Sequence, residues 1–303
     1  MTDAEAKVAL RKKNRRNRFF LPYLMVSPAT FFLLIFTVYP VFNLIYLSFF
    51  KYNLINPKKT FVGFKNYTDI LLVRDDFLIA LKNTAVFSAA HVVALMLLAL
   101  LFAAWLQRDT KLNNFAQTAI FTPHLIAMLS CSMIWSWLMD ERGILNVVLG
   151  FFGLPALRWL NSSSTAMLSI VIISVWKSIG YYALVLVASL KAIPGEIYEA
   201  ADLDNASGFN KFINITIPML SPQLLFLLIM ITINSFKVFD AVKVLTEGGP
   251  GDSTNVLAYY IYNMAFTNFK VGYAAAAGTV LVVILGALTA IYFKVLNKKV
   301  HYQ

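Results

Sequence analysis

The chain has 303 residues, 59% of them hydrophobic and 14% charged, with 26 Lys+Arg against 15 Asp+Glu. An ordinary soluble domain is about 45–50% apolar and about 25% charged, so this composition argues against a soluble enzyme, a disordered region or a disulfide-stapled secreted domain. The net charge of +11 suits basic residues flanking membrane spans better than a nucleic-acid partner, and one cysteine (Cys131) with three scattered histidines (His91, His124, His301) points to no disulfide, thiolate cage or zinc site.

A bilayer core about 30 Å thick needs about 20 apolar residues as helix. Charge-free windows of that size run over 19–50, 83–107, 112–139, 212–236 and 271–293, and 159–190 is interrupted only by Lys177. These windows predict an all-α integral membrane protein with six transmembrane helices. The shorter stretches 143–157 and 253–269 carry glycine and asparagine and read as interfacial or short extracytoplasmic helices, or a re-entrant segment. A β-barrel does not fit, since 31–36 is continuously apolar where a barrel strand alternates.

Ahead of the first window stand Lys7, Arg11, Lys12, Lys13, Arg15, Arg16 and Arg18. So many positive charges hold that end in the cytoplasm, and the long apolar run after them reads as a retained anchor, not a cleaved signal peptide. Six spans then return the C-terminus to the cytoplasm, where Lys294, Lys298 and Lys299 agree. The expected organisation is a cytoplasmic basic segment (1–18), a six-helix membrane domain (19–293) and a cytoplasmic tail (294–303).

The loop 191–214, between spans four and five, has a pattern of its own. Pro194 suits a first helical position, and Glu196 places a negative charge in the first turn. Ile197, Ala200, Ala201 and Leu203 form an apolar face. Asn205 is suited to a left-handed stop, and Ser207 or Asn205 to capping the next turn. The pattern alone fits an ordinary amphipathic connector as well as a short helix built to enter a groove on a soluble partner.

Within that loop Glu199-Ala200-Ala201 is followed after three residues by Asn205, and after nine more by Ile215-Thr216-Ile217-Pro218. In spacing this resembles the cytoplasmic loop of the binding-protein-dependent ABC import permeases, in their sugar and glycerol-phosphate branch. Two positions depart: Asn205 stands for glycine and Ile217 for leucine. The resemblance extends over the chain through 61–67, Asn83-Thr84, Val175-Trp176-Lys177, 247–251 and 298–303. It implies that the loop is a coupling helix, with Glu199, Ala200, Ala201, Asp204, Asn205 and Ala206 facing an ATPase. It also implies a second homologous permease, an ABC ATPase dimer that binds ATP and Mg, and an extracytoplasmic solute-binding protein. The implied setting is a bacterial or archaeal cytoplasmic membrane.

The chain has no G-x-x-x-x-G-K-[ST], and its glycine cluster at 248–254 lacks the phosphate-reaching lysine and reads as an external turn. Hydrolysis of ATP is therefore expected in another polypeptide, and no cofactor or catalytic residue in this one. An ion-coupled secondary transporter is the alternative, but the charge-free windows hold no Asp or Glu. A membrane enzyme would need clustered acid–base groups that the spans lack.

Lys177 is the one charge inside a span. At helical spacing Ser174, Lys177, Ser178 and Tyr181 share one arc of about 100°, a polar stripe suited to a hydroxyl-bearing solute. Equally, Lys177 can satisfy a carbonyl or carboxylate at an interface. Asn234 can bond a sugar hydroxyl or another helix, whereas His91 and His124 read as satisfied interhelical groups. Ala274, Gly278, Gly286 and Ala290 form a small-residue packing face on the last span.

Overall fold

A computed structural model describes residues 21–56 and 58–296. The basic residues between 7 and 18, the first two positions of the first apolar window, and Lys298 and Lys299 lie outside the described residues.

The described chain is helical. In order it forms α1 (Leu21–Ser48) and α2 (Asp75–Leu106), then α3 (Lys111–Leu125) and α4 (Met128–Leu138). Next come α5 (Ile144–Phe151), α6 (Ala166–Lys191) and α7 (Gly195–Leu203), then α8 (Gly208–Leu245), α9 (Leu257–Tyr262) and α10 (Val271–Leu296). A two-residue antiparallel pair, Phe50–Lys51 with Thr60–Phe61, follows α1. Five helices are long and apolar enough to cross a bilayer, and six crossings result when α3 and α4 count as one bent span.

That bend corrects the continuous third span expected over 112–139. The axes of α3 and α4 meet at 103°. Pro123 sits in the last turn of α3, and Ile126 and Ala127 are extended. Proline removes an amide donor from the ladder, so the helix is weakest there. Other boundaries move for identifiable reasons. Helix α2 begins at Asp75, ahead of its charge-free window. Asp75 and Asp76 suit the positive end of the helix, and Asp76 accepts from the Phe77 amide at 2.9 Å and pairs with Arg74 at 3.0 Å. Helix α6 begins at Ala166 and not near 159, because Asn146 takes the preceding segment for itself. Its Nδ2 donates to the Leu157 carbonyl at 2.9 Å, and its Oδ1 accepts from the Leu157 amide and Trp159 Nε1, both at 3.0 Å.

Two apolar cores organise the helices. The larger joins α2, α6 and α8 through Leu95, Ile170, Leu186, Leu227 and Ile231, all fully or nearly fully buried. The smaller joins the start of α2 to α9 and α10 through Phe77, Tyr260 and Ala277. The small-residue face of α10 is used in part: Gly278 meets Leu44 of α1, whereas Gly286 and Ala290 are exposed.

Side-chain amides and a hydroxyl fasten one end of the bundle. Asn66 Nδ2 donates to the Ser48 and Phe50 carbonyls at 2.7 and 2.9 Å. Asn83 Nδ2 donates to the Asp252 and Asn255 carbonyls at 2.7 and 3.0 Å. Thr84 Oγ1 accepts from the Leu257 amide at 2.7 Å. The opposite end is fastened where α2 turns into α3. Asn113 Nδ2 donates to the Trp105 and Arg108 carbonyls, Gln117 Nε2 to the Leu106 carbonyl, and Lys191 pairs with Asp109.

Helices α3 and α6 touch backbone to backbone at Gly180. A Cβ there would overlap the Ile120 carbonyl well inside van der Waals contact. Gly180→Val is therefore expected to force the helices apart at a cost of about 3 kcal/mol. A lower melting temperature of the purified protein checks this; an unchanged one would mean that the contact contributes nothing to stability.

Candidate functional site

The bend of α3–α4 opens a cavity of about 620 Å³ between α2, α6 and α8. All five residues expected along a solute pathway line it: Ser174, Lys177, Ser178 and Tyr181 on α6, and Asn234 on α8. The arc predicted on α6 thus faces one space. Aromatic rings form much of the wall. His124 stacks on Tyr181 at 4.9 Å and 15°, and Tyr181 meets Tyr182 edge-on at 5.1 Å. Phe87, Phe226 and Phe239 complete the apolar surface, and Lys237 and Asp240 lie along α8 where it leaves the cavity.

Lys177 does not reach into that space as a free charge. Its ammonium donates to the carbonyls of Ile126 at 2.7 Å, His124 at 3.1 Å and Pro123 at 3.4 Å. They lie where α3 breaks and its last carbonyls run out of amide partners, though the Pro123 carbonyl also accepts from the Ile126 amide at 3.3 Å. Of the alternatives open on the sequence, the structure gives the carbonyl one, within this chain. Asn234 donates to the Tyr182 hydroxyl at 3.3 Å, an interhelical bond that leaves its carbonyl oxygen at the cavity.

The sequence reading took His91 for a satisfied interhelical group. This residue is 6% exposed and lines the cavity, with its ring stacked on Phe87 at 5.4 Å. Neither imidazole nitrogen makes a hydrogen bond of full geometry, and the Ser174 carbonyl on α6 is a weak partner. The expected interhelical contact is present only in this weak form. The available signal was Ser88 and His91, one turn apart in the otherwise apolar stretch 85–106. Among the described residues no group of His, Cys, Asp and Glu could hold a metal ion.

The loop between α6 and α8 has the expected bend. Asn205 has φ +54°. Its amide donates to the Asp202 carbonyl and the Ala206 amide to the Ala201 carbonyl, both at 3.0 Å, the paired bonds of a left-handed helix stop. Ser207 caps the next turn through the Asn210 amide. Pro194 is the cap, one residue before the helix, and not its first residue. The apolar face also differs from expectation. Ala201 packs inward, but Leu203 is 85% exposed and Glu199, Ala200 and Asp204 are exposed beside it. Tyr198 bonds Thr216 at 2.9 Å and Lys211 pairs with Asp202, so α7 is tied to the start of α8.

Residues 95–302 match the family described as the binding-protein-dependent transport system inner membrane component. The chain belongs to this family. It is a permease subunit of an ABC importer and a transport protein, not an enzyme, so the ion-coupled carrier is set aside. The permease is 35% identical to the sn-glycerol-3-phosphate transport system permease protein UgpA of Agrobacterium fabrum, over 93% of this chain and 96% of that one. It is 34% identical to the trehalose/maltose transport system permease protein MalF of Thermococcus litoralis, over 91% and 93%. Its fold is that of a permease chain in the crystal structure of a bacterial alginate ABC transporter in complex with alginate pentasaccharide-bound periplasmic protein. The two share a TM-score of 0.81 and 21% identity over 96% of this chain and 99% of that one.

In the permease the Lys177 clamp has a direct consequence. Lys177→Met leaves the carbonyls of the break to water or to nothing, at an expected cost of about 2 kcal/mol. The melting temperature of the purified protein should fall, and cysteines placed on α3 and α4 should cross-link less uniformly. A variant as stable and as uniform as the parent would show that the bend holds itself.

Proposed function

We propose that this permease carries a sugar, oligosaccharide or sugar-like polyol or phosphate across the membrane, and that the cavity at the α3–α4 bend receives it. One observation carries the reading: polar groups of α6 and α8 meet aromatic faces in a space large enough for a small saccharide. Sites for such solutes combine a mostly apolar wall with a few placed polar groups. The relatives named for glycerol phosphate and for trehalose and maltose support the solute class.

In this reading the protein sits in a bacterial or archaeal cytoplasmic membrane with both termini in the cytoplasm. It pairs with a second, homologous permease, and a solute-binding protein docks on the outer face. An ABC ATPase dimer, holding ATP and Mg, docks on α7 and the turn after it. Glu199, Ala200, Asp204 and Leu203 present the docking surface, Ala201 anchors it from beneath, and Asn205 with Ala206 sets the angle of the chain. Phe209, 74% exposed just beyond the turn, extends the apolar part. ATP binding draws the two coupling helices together and tilts α6 and α8, so that the cavity opens to one side at a time.

Uptake into vesicles carrying the full transporter tests this. Glu199→Ala is expected to cut transport-coupled ATP hydrolysis roughly tenfold, through about 1–2 kcal/mol of lost docking energy, with membrane insertion intact. At the turn, Asn205→Gly should preserve uptake. Asn205→Val should lower it, since a β-branched residue in the left-handed region costs roughly 1–2 kcal/mol. Equal uptake by the Val and Gly variants would count against the bend as a coupling element.

A further inference from the structure

The polar groups of the cavity divide into those already spent and those still free. Lys177 is spent on the carbonyls of the bend, and the Asn234 amide is spent on Tyr182. His91 and Ser174 are not. Both imidazole nitrogens and the Ser174 hydroxyl are buried without a hydrogen-bond partner, and both residues line the cavity. Ser88, one turn before His91 on α2, is also buried and also unpartnered. Unmade bonds of this kind destabilise a fold, and a chain that keeps them together beside a cavity holds them for something that arrives.

We propose that His91 and Ser174 form a hydrogen-bonding seat for one hydroxyl of the solute, resting on the reading of the cavity as the solute site. A neutral imidazole offers one donor and one acceptor, and a serine hydroxyl offers both. A solute hydroxyl can therefore donate to one residue and accept from the other at once. The seat thus suits a hydroxyl, which uses a donor and an acceptor at once. Stacking on Phe87 fixes the imidazole plane, which leaves the ring edge free for this contact. In this proposal His91 is a specificity residue, since its contact across the helices with the Ser174 carbonyl is weak.

A structural histidine and a ligand-binding histidine respond oppositely to an apolar substitution. Replacing an unpartnered buried polar group with leucine removes an uncompensated desolvation cost, whereas replacing a partnered one loses a bond. The test uses the complete transporter in proteoliposomes with labelled maltose, trehalose and glycerol 3-phosphate as probes, at saturating binding protein. His91→Leu and Ser174→Ala are expected to lower the import rate about three- to tenfold, while the melting temperature of the complex stays level or rises. His91→Gln, which keeps a donor and an acceptor, should retain most of the rate. Import by His91→Leu at the parent rate overturns the seat and leaves the cavity reading standing. A melting temperature that falls together with import in His91→Leu overturns it too, in favour of a structural histidine. Import of none of the three probes by the parent overturns the cavity reading and the seat with it.

Discussion

A lysine ammonium and three backbone carbonyls solve each other's problem in the middle of this protein. A lysine placed at membrane depth costs roughly 2.5–3.5 kcal/mol on insertion scales unless it is satisfied. A helix broken at that depth exposes carbonyls that lipid cannot satisfy. Lys177 and the end of α3 remove both costs in one contact. The ammonium also sits at the carbonyl end of α3, where the helix dipole favours a positive charge. The bend places His124 of α3 and Met128 of α4 on the wall of the cavity between α2, α6 and α8.

The clamp also explains how force can reach the cavity. The two ends of the bundle are fastened by side-chain amides, Asn66 and Asn83 at one and Asn113 at the other, so the bundle resists bending locally. The loop carrying α7 is joined to both α6 and α8. Ile193 belongs to the larger core, Ile197 and Tyr198 pack against it, and Tyr198 bonds Thr216. On the proposed coupling, a push on α7 would therefore move α6 and α8 as levers, not the loop alone. Because Lys177 rides on α6 and grips α3, a tilt of α6 carries the bend with it. The cavity wall thus changes as a unit, as packed interfaces do.

Much of this was legible in the residues. Long charge-free windows mark spans because a bilayer core admits little else, and Asn205 could be read as a left-handed stop because asparagine tolerates that backbone. The polar arc on α6 was legible because helical spacing is fixed. The bend at Ile126 was not legible from composition, since 112–139 carries no charge and Pro123 alone is compatible with a kinked helix that continues. Lys177 could not be assigned from spacing either, as its partners lie some fifty residues earlier in the chain. The start of α2 was missed because hydropathy stops at the first charge, whereas the helix extends to Asp75 through Asp76 and Arg74. His91 was misread for the same reason that Lys177 was left open. A polar residue on an apolar helix usually has a partner, and only the packing of α2 against α6 tells whether it does.

The division between spent and free polar groups bears on how a permease can hold a solute without trapping it. A cavity lined by many free donors would bind a saccharide tightly in every state, and tight binding in all states moves nothing. Here the Lys177 ammonium is withdrawn into the framework, and an imidazole, hydroxyls and Asn234 stand beside aromatic faces, with Lys237 and Asp240 also on the wall. Each such contact is worth about 1 kcal/mol net, so a few of them orient a sugar and still let it leave. His91 is carried by α2 and Ser174 by α6, so in the proposed seat a small shift between these packed helices changes how well both groups meet one hydroxyl. On that reading the affinity of the cavity would change as the transporter turns over, which a seat built on one helix could not supply.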